Sequence, residues 1–180
     1  YARPAGKSLF DARGMPKAEP RRPLPPADLR AREEYLRRYL AAFPAGLLAG
    51  RRLLVYQHSA VGRDFLVEVL QGLGAEVIPA GRSEAFVPID TEAVDEGLLA
   101  GIQALVDAAG APLDAVVSTD GDGDRPLLLA VEGGRVRFLP GDLLGLIAAD
   151  FLNAHSVTVP VSASDAIDLF FRPRGVEPRR

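Results

Sequence analysis

From residue 51 onward, short apolar runs alternate with longer segments whose apolar residues recur at helical spacing. Residues 53–56, 76–79 and 113–118 are short apolar runs of the kind that forms buried strands. The two segments between them predict helices, with apolar faces at Val61, Phe65, Leu66, Val69, Leu70 and Leu73, and at Val94, Leu98, Ile102, Leu105 and Val106. This alternation favours an α/β fold, a mostly parallel sheet with helices on both faces in a three-layer α/β/α domain.

The pattern changes after residue 125. Apolar runs at 126–131 and 135–139 flank Glu132-Gly133-Gly134 and predict a β-hairpin. Residues 142–152 predict a helix and residues 157–161 a further strand, followed by a short helix that ends near Phe171 and is capped by Ser162 or Ser164. The unit that begins at Asp142 is too small to close a sheet by itself.

The beginning of the chain has a different character. Prolines recur through residues 1–27 and exclude a regular helix, and the segment is basic. We interpret it as a solvated linker rather than a phosphate-contacting surface. Asp28 then caps a helix that runs to about Phe43, and we expect its apolar stripe to pack on a neighbouring domain.

Composition narrows the class of protein. Hydrophobic residues make up 48% of the chain, enough for a core, and the formal net charge of -3 implies no general attraction to nucleic acid or to a membrane surface. No apolar run approaches the roughly 20 residues that span a bilayer. The sequence has no cysteine, which excludes disulfides and thiolate zinc sites and is compatible with the cytoplasm, where we expect the protein.

The strongest chemical signal is the segment of residues 120–125, called the aspartate loop below. Asp120, Asp122 and Asp124 are separated only by glycines and directly follow an apolar strand. Carboxylates that converge on one point repel each other unless a cation lies among them, and Mg2+ prefers such oxygen ligands. Arg125 adds a guanidinium suited to phosphate oxygens or to ordering the loop.

Two other readings of the aspartate loop are weaker. Asp-Gly pairs are common in polar turns, but three interleaved acids after a strand favour a metal site over a turn. A calcium-binding EF-hand loop requires glycine at its sixth position and glutamate at its twelfth, and this sequence has Arg125 and Val131 there.

Other polar residues have simpler interpretations. His58 follows a predicted strand and suits acid–base chemistry, but a structural or exposed histidine is the better interpretation, and His155 reads as a surface residue. Ser118 reads as a strand-end serine that bonds its own backbone rather than as a phosphoryl acceptor. Arg63 and Asp64 read as the polar start of a helix.

The aspartate loop resembles the metal loop of the alpha-D-phosphohexomutases, which include bacterial phosphomannomutase/phosphoglucomutase. That family's loop reads D-G-D-x-D-R, and residues 120–125 match it position by position. Further similarity covers residues 58–64 (HSAVGRD), 74–79 (GAEVIP) and 86–92 (FVPIDTE), which resemble the second domain, and residues 142–162, which resemble the start of the third. The family's serine loop (T-A-S-H-N-P), sugar-reading loop and last phosphate loop have no counterpart here.

The resemblance implies both an architecture and a reaction. It implies that residues 1–49 are the tail of a first domain with a linker helix, that 50–140 are the metal-binding domain with an antiparallel edge strand, and that 141–180 begin a third domain. It implies transfer of a phosphoryl group between a phosphoserine outside this chain and a mannose or glucose 1- or 6-phosphate, with Mg2+ on the three aspartates. The rest of the mutase's own domains would be its protein partners, and this chain alone would be inactive.

Two alternatives belong to other classes. One is a catalytically silent metal-binding or interaction domain. The other is a haloacid-dehalogenase-like phosphatase, which places its aspartates after the first strand of its sheet, whereas this loop follows the third predicted strand and has Asp124 at the last position.

Overall fold

A computed structural model describes residues 10–15, 17 and 25–180. Internal contacts divide the chain into two units, Tyr1–Glu33 and Glu34–Arg180. In the first unit the Asp11 carboxylate accepts hydrogen bonds from the backbone of Arg13 (2.8 Å) and Met15 (2.9 Å) and closes a turn. Most of the proline-rich segment predicted to be a linker lies outside the described residues, and the domain boundaries at 49 and 140 stay predictions.

The regular elements follow the predicted order. They are α1 (Arg30–Ala42), β1 (Arg52–His58), α2 (Arg63–Gly72), β2 (Glu76–Arg82), α3 (Glu96–Ala108), β3 (Ala115–Thr119), β4 (Pro126–Glu132), β5 (Arg135–Leu139), α4 (Gly141–Phe151) and α5 (Ala166–Phe171). As predicted, Asp28 caps α1, because its carboxylate accepts a hydrogen bond from the Arg30 amide at 3.0 Å.

One five-stranded sheet, in the order β2-β1-β3-β4-β5, forms the centre of the second unit. β1 is parallel to both β2 and β3, while β3–β4 and β4–β5 are antiparallel. The predicted mixed α/β sheet is therefore confirmed, with its antiparallel edge formed by the hairpin. β2 is the other edge, where Pro79 is paired with Val55, and β5 carries the exposed Arg135 and Arg137.

Helices cover both faces of the sheet, and the strand alternation explains why. Leu54 and Val116 are fully buried and pack with Ile102 of α3. Leu53 and Val55, the alternate residues of β1, point to the opposite face, which α2 contacts. The short apolar runs of the sequence are thus strands buried on two sides.

Helix α1 has part of its apolar stripe covered from within the chain. The Tyr35 and Phe65 rings meet edge to face, with centroids 5.3 Å apart. Leu40 lies over Gly72, where an added Cβ would come within 2.5 Å of Leu40 Cδ2. Of the predicted stripe, Leu40 therefore contacts α2 within the chain, which corrects the expectation for this residue, while Phe43 stays exposed.

The last part of the chain forms its own small apolar cluster. Ala163, Ile167 and Phe171 are buried there, and residues of α4 such as Leu146 pack against them. Ser164 Oγ accepts a hydrogen bond from the Ala166 amide (3.2 Å), but the N-cap of α5 is Asp165, whose side chain makes no capping bond, so the cap predicted at Ser162 or Ser164 is wrong.

The strand predicted at residues 157–161 is wrong. Within the described part of the chain, this segment forms one isolated parallel bridge, Thr158 with Arg179, and no ladder. A strand needs a neighbour along its length to satisfy its backbone groups, and Pro160 has no N–H to offer.

Among the described residues no helix is both long enough and apolar enough to cross a membrane.

Two glycines with the same backbone conformation allow packing to be separated from backbone strain. Gly81 and Gly110 have φ of +66° and +69°, and a Cβ at Gly81 would lie 2.6 Å from Tyr56 Cε2, whereas one at Gly110 meets nothing within 4 Å. We predict that Gly110→Ala costs about 1 kcal/mol of unfolding free energy from strain alone. Gly81→Ala should cost about 1–3 kcal/mol more, because Tyr56 must move.

Urea denaturation of the two variants measures this difference. Equal losses would show that Tyr56 yields without cost and that the close approach at Gly81 does not contribute to stability.

Candidate metal centre

The aspartate loop connects β3 to β4 at the carboxyl end of β3, the middle strand of the sheet. The strand pairing ends at Thr119 and Pro126, and the Asp120 amide then donates to the Arg125 carbonyl (3.1 Å), which closes the loop. Gly123 has φ +85°, a conformation that favours glycine. Gly121 has no positive φ, so of the two glycines in the loop only Gly123 adopts a conformation that favours glycine.

The structure brings the three predicted aspartates together. Asp120, Asp122 and Asp124 each offer a carboxylate oxygen, and these oxygens lie within 4.8 Å of one another. Asp120 is half-buried, while Asp122 and Asp124 are exposed. Three carboxylate oxygens within this distance of one another are a candidate ligand set for a hard divalent cation.

Asp120 is the fixed member of the group. Its Oδ1 accepts hydrogen bonds from the backbone amides of Gly123 (3.1 Å) and Arg125 (3.2 Å). Burial favours a higher pKa for Asp120, but the hydrogen bonds from Arg125, Asp124 and Gly123 outweigh it and lower the pKa below its ordinary value. Asp120 therefore stays ionised and anchored.

The pKa of Asp124 is shifted in the opposite direction to that of Asp120. Its hydrogen bond with Asp120, and then the negative charge of Asp122, raise the pKa of Asp124 above its ordinary value. This shift is the electrostatic sign of carboxylates held close together without a cation, and a bound cation would reverse it. The electrostatics of the residues present thus fit a divalent metal.

Arg125 lies at the edge of the group and faces acids. Its Nη1 is 3.5 Å from Glu92 Oε1 and its Nε is 3.9 Å from Asp124 Oδ1, with the side chain 56% exposed. These are long, solvated ion pairs of small energetic value. The guanidinium is thus available to an anionic group at the loop.

The aspartate loop is bonded to the end of β1 and to the turn after it. Ser118 Oγ donates to the Tyr56 carbonyl (2.6 Å), and the His58 ring Nε2 donates to the Thr119 carbonyl (2.9 Å). The Val61 amide donates to the Gly121 carbonyl (2.9 Å). Ser118 thus bonds mainly to the neighbouring strand rather than to its own backbone, and His58 is buried and structural.

Arg63 joins the end of β1 to the residue that follows β2, at the same end of the sheet as the aspartate loop. Its Nη1 donates to the carbonyls of His58 (3.0 Å) and Ser83 (2.9 Å), and its side chain is only 15% exposed. Asp64 pairs with Arg82 at 2.8 Å, and this hydrogen bond lowers the pKa of Asp64. Both residues lie at the start of a helix, as predicted, but the sequence gave no sign of these contacts.

His155, the other histidine of the chain, is exposed, as predicted.

An open cleft of about 450 Å³ adjoins the aspartates. Phe86 and Val61, both highly exposed, line it together with Ser59, Asp120 and Asp122. Ser59 is held in place, because its Oγ accepts from the Val87 amide (2.8 Å) and donates to the Val87 carbonyl (3.3 Å). The cleft therefore combines acidic and apolar walls next to the candidate metal ligands.

A family model, "Phosphoglucomutase/phosphomannomutase, alpha/beta/alpha domain II", matches residues 33–134. The chain belongs to this family. It is 42% identical over 138 residues to a phosphomannomutase of Sinorhizobium fredii, and 43% identical over 137 residues to one of Salmonella muenchen. These alignments cover 77% and 76% of the chain but 28% of each relative, so the chain spans under a third of their length.

Solved structures with the same fold include phosphoglucomutase/phosphomannomutase family members. A Burkholderia thailandensis protein superposes with a TM-score of 0.65 at 17% identity, over 82% of this chain and 32% of that one. A putative phosphomannomutase from Thermus thermophilus gives 0.56 at 21% identity, over 85% and 36%. At these identities the likeness establishes the fold, in agreement with the family match.

The electrostatic coupling within the loop predicts a measurable titration. Because the folded-state pKa of Asp124 is raised, its ionised form is disfavoured, and its ionisation works against the folded state as pH rises. In metal-free protein, NMR titration of the side-chain carboxyl should place the pKa of Asp124 above the ordinary value of about 3.9. Asp120→Asn should bring it down towards that value.

Asp107→Asn on α3 is the matched control and should leave the titration of Asp124 unchanged. An Asp124 that titrates normally in the wild-type protein would show that the three carboxylates are further apart in solution.

Proposed function

We propose that this protein is the metal-binding part of a phosphohexomutase that acts on mannose or glucose 1- and 6-phosphates. The observation that carries the proposal is the aspartate triad, which lies inside the segment matched by the mutase domain and has ligand oxygens within 4.8 Å. The curated relatives are named phosphomannomutases, and this supports an isomerase as the complete enzyme.

In this proposal Asp120, Asp122 and Asp124 hold Mg2+ at the end of β3. When bound, the ion supplies positive charge that offsets the charge on phosphate oxygens during transfer. The backbone amides of Gly123 and Arg125, which donate to Asp120, keep its carboxylate in position beside the other two. Arg125, whose present ion pairs are long and exposed, directs its guanidinium to a phosphate or orders the loop.

The nucleophile is proposed to be a phosphoserine in a part of the enzyme outside these 180 residues. Of the described serines, the two that adjoin the aspartate loop are both committed to structural hydrogen bonds. Ser118 is buried and bonded to Tyr56, and Ser59 is bonded to Val87. This arrangement leaves the loop to supply charge neutralisation while another segment supplies the acceptor oxygen.

The first test is metal binding. We predict that Asp122→Asn weakens Mg2+ binding by about tenfold or more in isothermal titration, because losing even an indirect ligand partner costs 10–100-fold. Asp150→Asn, which changes an exposed carboxylate on α4, is the matched control and should bind like the wild type. Equal Mg2+ affinity in all three proteins would refute the assignment of the triad.

The second test concerns activity. The 180-residue chain alone should show no mutase turnover, since catalysis needs the nucleophile, the metal and the sugar contacts in one geometry. A coupled assay with glucose 1-phosphate, Mg2+ and a glucose 1,6-bisphosphate primer measures this. Turnover that exceeds a metal-free control and disappears in Ser118→Ala would show that the nucleophile lies in this chain.

Metal binding by a complete parent enzyme without turnover on either hexose phosphate would favour the alternative, a catalytically silent metal-binding domain.

A further inference from the structure

His58 has an unusual combination of features at the end of β1. It is fully buried, yet its backbone lies at φ +26°, a region that L-residues other than glycine seldom occupy. Strained backbone of this kind persists where the surroundings demand it, often near functional sites. Glycine adopts this conformation more easily, and the histidine differs from it by a ring that contacts Thr119.

The contribution of the side chain is visible in its single hydrogen bond. Nε2 lies 2.9 Å from the carbonyl oxygen of Thr119, and since a carbonyl only accepts, Nε2 carries the proton. Nδ1 is buried and has no hydrogen-bond partner among the described residues. The Nε2–H of the ring is therefore directed at the peptide that joins Thr119 to Asp120.

This bond continues a strand pair past the point where the strands separate. The ladder between β1 and β3 ends at Val55 and Val117. Beyond it, Ser118 Oγ reaches the Tyr56 carbonyl, the His58 ring reaches Thr119, and the Val61 amide reaches Gly121. Three successive links thus replace the ladder, and the middle one holds the residue immediately before Asp120.

The geometry points to His58 as the positioning residue of the aspartate loop: its N–H fixes the Thr119–Asp120 peptide and so aims Asp120 at the metal. This inference rests on the proposed function, because it assumes that the triad binds Mg2+. His58 touches no metal ligand itself, and it acts through the backbone in the way that partners behind metal ligands tune affinity.

The backbone of His58 is itself held from the opposite side. Its carbonyl accepts hydrogen bonds from Arg63 Nη1 (3.0 Å) and from the Ser83 amide (2.9 Å). Its ring lies beside that of Tyr56, with centroids 5.2 Å apart. The residue therefore connects Ser83, directly after β2, to Thr119, directly before the aspartate loop.

Two substitutions of His58 by amide side chains of different length test its positioning role. His58→Gln places its amide N–H near the position of Nε2, whereas His58→Asn is one methylene shorter, tolerates positive φ, and falls short of Thr119. We expect isothermal titration to show Mg2+ affinity within about threefold of wild type for His58→Gln and about tenfold weaker for His58→Asn. Ile102→Val, a core change remote from the loop, should lower the melting temperature without changing Mg2+ affinity.

The outcomes separate the two proposals. If wild type binds no Mg2+, the metal assignment of the triad fails and the role of His58 fails with it. If wild type binds and both amide variants bind equally, or if Ile102→Val loses as much affinity as His58→Asn, the role of His58 alone is refuted. Should His58→Asn not fold, His58→Leu replaces it, with the same expected loss of affinity and the same refuting result.

Discussion

Repulsion among three like charges is the constraint around which the rim of this domain is built. A short loop at the end of the central strand holds the carboxylates of Asp120, Asp122 and Asp124 within 4.8 Å. The protein offsets part of this repulsion with fixed dipoles, because two backbone amides point at Asp120. The remainder is left uncompensated, as the raised pKa of Asp124 shows. Residual negative potential of this kind favours the binding of cations.

Most of the architecture could be predicted from the sequence because its strands are buried on both faces. Leu53, Leu54 and Val55 are apolar in succession and buried, a pattern that is typical of an inner parallel strand. The strand ends were harder to predict, since β1 and β2 extend to His58 and Arg82, which are polar. Backbone pairing between neighbours extends these strands, and pairing leaves no trace in hydropathy.

The candidate site was also predictable only in part from the sequence. Its three acids lie within one loop, so their convergence could be inferred from spacing alone. The contacts that hold the loop join residues about sixty positions apart, such as His58 with Thr119, and only the topology of adjacent parallel strands brings them together. The failed strand at 157–161 has the same origin, because a β-rich composition does not provide a partner.

The two edges of the sheet bear on how the protein behaves at high concentration. An open strand is a template for cross-molecular β-pairing and, in time, for aggregation. β2 places Pro79, which has no N–H, in the middle of one edge, and β5 places the charged side chains of Arg135 and Arg137 on the other. An incoming strand would meet an interrupted ladder on one side, and on the other it would have to remove water from the guanidinium groups of Arg135 and Arg137. The same sequence that builds the sheet therefore also limits its growth into intermolecular fibrils.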